Sequence, residues 1–223
     1  MNELTISGAF AENIKQENRS ILENSIELGL DSFLEDGILK DIPFVSTAVS
    51  VYKIGHSIRE KQHLKKMLIF LNQFNKGILG IEAKEEYIRF FEEDTKKRNK
   101  ELEYIILILD RFINEKKASQ IAKLYLAYLQ EKLNWQLFVQ FSEVLDRMLE
   151  GDYEHLSDQI VRNYGNDEES DIYIRRLEAL GLVVQDVNAS KGVFDFYGNR
   201  IGIGSGPYKM TSFGILFSQI LTS

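Results

Sequence analysis

The stretch Leu102-Glu103-Tyr104-Ile105-Ile106-Leu107-Ile108-Leu109-Asp110-Arg111-Phe112-Ile113 decides how the chain is built. Its centre, residues 104–109, is apolar on every side. A helix without a polar face is a helix enclosed by others, so the block predicts a central member of a helical bundle. Upstream, 82–98 is strongly charged, with Tyr87, Ile88, Phe90 and Phe91 marking an apolar side. Thr95 to Lys100 is polar enough to predict a bend between helices over 82–98 and 99–116. Downstream, Ile121, Leu124, Tyr125, Tyr128 and Leu129 make one stripe. Phe138, Phe141, Val144, Leu145, Met148 and Leu149 make another. Together they predict a helical hairpin over 117–131 and 134–150, with Asn134 accepting from a free amide as N-cap. Among Tyr125, Tyr128, Trp135, Phe138 and Phe141, most are expected in the core, and any left exposed would form an interface.

Further upstream, 10–36 reads as a first helix through Ile14, Ile21, Leu22, Ile26, Leu30, Phe33 and Leu34. Residues 38–58 are unusual. Ile42 to Tyr52 (Ile-Pro-Phe-Val-Ser-Thr-Ala-Val-Ser-Val-Tyr) has no charge, and Pro43 suits a first helical turn. A basic run follows, Lys53, Arg59, Lys61, Lys65 and Lys66, broken only by Glu60. The helix is expected to continue through Met67, Phe70, Leu71 and Phe74 to Gly77.

The totals fit this plan. The chain has 223 residues, enough for one large or two small domains. It has two prolines, and none between 44 and 206, which suits helices. With no cysteine, disulfides, thiol nucleophiles and thiolate metal sites are excluded. Net charge is −7, which disfavours non-specific nucleic-acid binding. The opening Met1-Asn2-Glu3-Leu4-Thr5 lacks a basic region followed by an apolar run, so a cytoplasmic location is expected, with peripheral membrane contact as a variant.

After Gly151 the composition changes. Short helices are expected over Leu156–Tyr164 and from Asp167 to Gly181, where acids favour the helix start. Leu182-Val183-Val184, Val193 to Tyr197 and Arg200 to Ile203 read as strands, with Gly198-Asn199 as a tight turn. Tyr208 to Thr211 leads into a last helix from Ser212 to Leu221. The fold class is therefore mainly α: a multi-helix bundle over 1–150 and a small α+β domain over 151–223.

Two motifs give that domain a resemblance. Ile174-Arg175-Arg176-Leu177-Glu178-Ala179-Leu180-Gly181-Leu182-Val183 resembles a recognition helix entering a wing. Tyr208-Lys209-Met210-Thr211-Ser212-Phe213-Gly214 resembles the return strand and closing helix of a winged-helix domain. The whole chain is also similar to a loose group of bacterial and prophage proteins of abortive-infection-like plan. Leu39-Lys40-Asp41-Ile42-Pro43-Phe44-Val45, Ser57-Ile58-Arg59-Glu60 and Ala122-Lys123-Leu124-Tyr125 carry that likeness. It implies a helical body with a terminal winged helix and a role in phage defence or a mobile element. It implies no functional residue.

Candidate chemistry is sparse. DNA binding by the wing-like domain would rest on Arg175, Arg176 and Arg200, but Asp167, Glu168, Glu169 and Asp171 would meet phosphates. Membrane or anionic-surface contact would rest on Lys53, Arg59, Lys61, Lys65 and Lys66 beside the apolar 42–52 run, which is about half the ~20 residues a span needs. The competing reading buries that run and pairs the bases with the acidic 1–36 segment. His56, Glu60 and His63 make an incomplete metal set, and no metal or cofactor is expected. Gly202 to Pro207 falls between strands, unlike a phosphate loop. Adjacent carboxylates such as Glu92-Glu93-Asp94 lie on charged faces, so no catalytic residue is expected. The expectation is a non-enzymatic interaction protein that meets a protein partner or its own copy. A winged-helix DNA-binding regulator and a membrane-associated effector using 38–66 are the alternatives.

Overall fold

The structure is a computed structural model, and it describes residues 5–16, 41–53, 57–77, 81–156, 168–186, 192–194, 197, 200–203 and 208–222. It divides into two compact units, Met1–Ser142 and Glu143–Ser223. The division falls inside a helix, ahead of the change in composition at Gly151.

Unit 1 begins with α1 (Ile6–Lys15), where the Thr5 hydroxyl accepts from Gly8 N. The helix starts earlier than expected, and the rest of the 10–36 reading lies outside the described residues. Next comes α2 (Pro43–Tyr52), which opens on Pro43 and stops at Lys53, whose φ of 51° is left-handed. The single helix expected through Gly77 is therefore two. The second, α3 (Ile58–Gly77), has its own start: Ser57 N donates to Glu60 Oε2 at 2.9 Å and Glu60 N donates to Ser57 Oγ at 3.3 Å. This reciprocal capping box satisfies two amides and restarts the helix.

Helix α4 (Ile81–Glu93) and α5 (Thr95–Arg111) meet at Asp94, whose Oδ1 accepts from Lys97 N at 3.2 Å. The break precedes the polar stretch, so Thr95–Lys100 begins α5 and is not the bend. The 104–109 block is also one-sided. Ile105, Ile106, Ile108 and Leu109 are buried, but Leu107 is 57% exposed. Helices α6 (Lys116–Leu129) and α7 (Trp135–Arg147) follow, and Asn134 Oδ1 accepts from Leu137 N at 2.8 Å, as the sequence predicts.

Aromatic rings fill the core of unit 1. The Phe10 ring lies 5.0 Å from Phe44, 4.9 Å from Phe74 and 4.8 Å from Phe91, joining α1 to α2, α3 and α4. Tyr125 on α6 lies 6.0 Å from Phe74 and 5.7 Å from Phe138. Tyr125, Phe138 and Phe141 are buried, whereas Tyr128 and Trp135 are half-buried. Ile42, Phe44, Val45 and Ala48 are buried too, so the uncharged run gives one face to the core.

Among its described residues, unit 2 holds a 3-10 turn (Glu150–Asp152), α8 (Glu168–Ala179), four short strands and α9 (Ser212–Thr222). The expected helix over Leu156–Tyr164 lies almost wholly outside the described residues. Helix α8 ends at Gly181, whose φ of +75° suits glycine. The strands are β1 (Val183–Gln185), β2 (Gly192–Phe194), β3 (Arg200–Ile203) and β4 (Tyr208–Met210). β1 pairs antiparallel with β4, Val183 opposite Met210, and β2 pairs antiparallel with β3, Gly192 opposite Ile203. The Thr211–Gly214 motif has a physical basis here. Thr211 Oγ1 donates to Gly181 O at 2.7 Å and accepts from Gly214 N at 2.9 Å. A Cβ on Gly214 would sit 2.0 Å from Leu182 O, so only glycine lets α9 approach β1 this closely.

Candidate functional site

One cluster forms where the start of α3 meets the end of α5. Asp110 accepts from the exposed Arg59, which pairs with it directly. His63 Nε2 donates to Ile106 O at 3.0 Å, leaving Nδ1 3.7 Å from Asp110 Oδ1. Burial pushes the His63 pKa below its ordinary value, while Asp110 pulls the other way. Lys66 is buried, and its amine donates to Phe112 O at 2.6 Å and Asp110 O at 3.2 Å. Those carbonyls end α5, where no intrahelical donor remains, so Lys66 acts as their cap. Burial pushes the Lys66 pKa down. Lys65 pairs with Glu115 at 2.7 Å.

The basic run is therefore tied to α5 and the α5–α6 turn. The expected pairing with the acidic 1–36 segment is not the one made by Arg59, Lys65 or Lys66. Lys15, from that segment, pairs with Glu92 at 2.7 Å. Lys53 is exposed and Lys61 half-buried. Tyr52, Ser57, Arg59, His63, Leu107 and Asp110 wall a cavity of about 310 Å³. The segments that wall it, or directly continue them, carry exposed apolar residues: Val51 at 55%, Ile58 at 82%, Leu107 at 57% and, in the turn after α5, Ile113.

A second cluster lies between α4, α5 and α6. Arg98 is buried, with its guanidinium carbon 3.2 Å above the Phe90 ring centre. Its Nη1 donates to Glu101 Oε2 and, at 3.1 Å, to the Tyr128 hydroxyl. Tyr128 in turn donates to Glu101 Oε1 at 2.7 Å. Burial, then the Glu101 hydrogen bond, pushes the Tyr128 pKa up. Arg98 Nε is buried with no hydrogen-bond partner. The group borders a cavity of about 850 Å³ that Tyr87, Phe90, Lys97 and Tyr128 also line. Sequence reading missed it, because Arg98 and Glu101 at i, i+3 look the same on a solvated helix as in a buried one.

In unit 2, Arg176 Nε donates to Asp152 Oδ1 at 2.8 Å and Oδ2 at 3.0 Å, and Asp152 is fully buried. Arg175 is exposed, and Arg200 lies on β3. The three arginines grouped for DNA contact thus divide, with Arg176 committed to its own fold. For the metal reading, His56 lies outside the described residues, Glu60 is used in the capping box and His63 donates to a carbonyl. Among the described residues no group of three His, Asp or Glu side chains could hold a metal. Among them, too, no helix is long and apolar enough to cross a membrane.

No family model matches the chain, and no curated protein or solved structure matches it.

Proposed function

We propose that the protein is a non-enzymatic interaction protein that docks a protein partner on the Asp110 end of unit 1. The supporting observation is the grouping of exposed apolar side chains there: Val51, Ile58, Leu107 and Ile113 all lie on segments that wall the 310 Å³ cavity or directly continue them. Concentrated apolar surface of this kind marks an interaction site. Exposed Lys53 and Arg59 lie among these residues, so the partner is an acidic segment with apolar side chains. Arg59 can exchange Asp110 for a partner carboxylate without leaving water. An anionic bilayer fits the same end less well. Lys66 turns inward, Lys65 is paired with Glu115, and Glu103 and Asp110 sit beside Leu107 on α5. A setting in phage defence or a mobile element rests on the sequence resemblance alone.

For unit 2 the reading is a winged-helix-like module used for protein contact. Its support is the strand order. The β2–β3 ladder is nested within the β1–β4 ladder in sequence, as the tip and base of one hairpin would be, with α8 before and α9 after. The Arg176–Asp152 pair weighs against DNA contact.

Selection from a displayed random-peptide library tests the docking reading. Enriched peptides should combine Asp or Glu with Leu, Ile or Phe, and Ile58→Asp and Leu107→Asp should each abolish their binding. A failure to enrich such peptides overturns the reading. So does pelleting with phosphatidylserine vesicles that Ile58→Asp abolishes, which would favour the membrane. A salt-dependent gel shift lost on Arg175→Glu would overturn the protein-contact reading of unit 2.

A further inference from the structure

The 850 Å³ cavity beside Arg98 falls within the range of roughly 300–1,000 Å³ typical of small-molecule sites. It lies away from the Asp110 end, and the docking reading does not use it. We propose that it binds a small monocarboxylate bearing an aromatic ring. The carboxylate meets the Nε–Nη2 edge of Arg98, and the ring sits among Tyr87, Phe90 and Tyr128.

The arginine carries the argument. Both of its hydrogen bonds leave from Nη1, to Glu101 and Tyr128, and Phe90 covers one face of the guanidinium. The group is thus held from one side and from below. Its other edge is the fork that matches a carboxylate with two parallel N–H donors. On that edge Nε is buried and has no partner. An unmet buried donor is costly, more so when charged, and a carboxylate in the cavity would remove that cost.

The lining selects for a single negative charge. Glu101 already balances Arg98, and Lys97 on the cavity wall can balance one incoming carboxylate. Glu86 and Glu131, also on the wall, would repel a doubly charged phosphate. Three aromatic side chains supply ring faces and edges for a planar apolar group.

Trp135, the only tryptophan, reports on the site without a label. Its ring centre is 5.4 Å from that of Tyr128, which lines the cavity. Sodium phenylacetate is the probe, with benzyl alcohol and inorganic phosphate as controls, followed by tryptophan fluorescence and by calorimetry. Phenylacetate should bind saturably, and both controls at least about tenfold more weakly, as loss of a charged bidentate contact implies. Arg98→Lys keeps the charge but loses the fork, and should weaken binding about tenfold. Arg98 is buried, so that variant can fail to fold. Gln130→Phe, at an exposed position on the cavity wall, then decides by blocking the site. The proposal is overturned by an absence of saturation below about 10 mM. It is also overturned by equal binding of benzyl alcohol, or by phenylacetate binding that Gln130→Phe leaves unchanged. Ile58→Asp should not affect phenylacetate, which separates this result from the docking test.

Discussion

Each unit sets an arginine against a buried carboxylate, and the two pairs are built differently. In unit 2, Arg176 gives its Nε to both oxygens of Asp152, and Asp152 Oδ2 also accepts from Leu149 N at 2.6 Å. That carboxylate is closed: it fixes the 3-10 turn and ties it to α8. In unit 1, Arg98 and Glu101 are only 7% and 4% exposed, deeper than the 27% of Arg176. Yet the better buried arginine is the one with a vacant donor edge. Depth of burial does not separate a structural arginine from one poised to bind. Whether an unmet donor is cut off from water does.

The largest effect should come from breaking the closed pair. Asp152→Ala leaves Arg176 without its acceptor and Leu149 N without its cap. The cost should be about 3 kcal/mol, the lower end for a buried pair because Arg176 keeps partial contact with water. Hydrogen exchange across α8 would read it, and a loss under about 1 kcal/mol would class the pair with surface bridges. Glu101→Gln should cost less, about 2 kcal/mol, since the amide keeps the shape and can still accept from Arg98. If the open edge is a binding edge, the same change should tighten phenylacetate by removing a nearby negative charge. Weaker binding in Glu101→Gln would mean that Glu101 positions Arg98 more than it competes with the ligand. A glycine in each unit extends the contrast. Gly214→Ala should cost about 1–3 kcal/mol, because its Cβ would meet the Leu182 backbone. Gly77→Ala should cost under about 1 kcal/mol, because its Cβ meets only side-chain atoms of Leu126, which can shift more easily than backbone. Equal losses in chemical denaturation would remove the difference.

Much of the fold was legible because it rests on local rules. Helical spacing located α6 and α7, Asn134 marked a cap, and Gly181 marked a helix end. The breaks were harder. Ser57-x-x-Glu60 is a visible capping signature, but the charged run around it reads equally well as continuous helix. Asp94, a good N-cap, was hidden beside Glu92 and Glu93 in a stretch that looked like a solvated face. Leu107 shows the limit of composition: six apolar residues in a row suggest full enclosure, and only the packing of α5 shows which of them faces water. The candidate sites were less legible still. Arg98 meets Tyr128 from the next helix, and Lys66 meets carbonyls at the end of α5, distant in sequence. No spacing rule encodes such meetings. The basic run was visible, but its partners were not.

The smallest effect concerns a pair that is neither closed nor vacant. His63 faces Asp110 at 3.7 Å, Lys66 from its own helix and Arg59 one turn away, and it donates Nε2–H to Ile106 O. Burial lowers its pKa in the folded protein below the unfolded value of 6.5. Near that pH the unfolded chain binds more protons than the folded one, so stability is highest above it. Stability should be lost as pH falls from 6.5 toward the folded pKa. Asp110 opposes the shift, which keeps the loss below about 1 kcal/mol. Denaturant midpoints at pH 7.5 and 5.5 compare the wild type with His63→Gln, the variant cancelling the carboxylates common to both. The wild type should lose more on acidification. Equal losses would mean that Asp110 offsets burial completely, making His63 and Asp110 a third balanced pair.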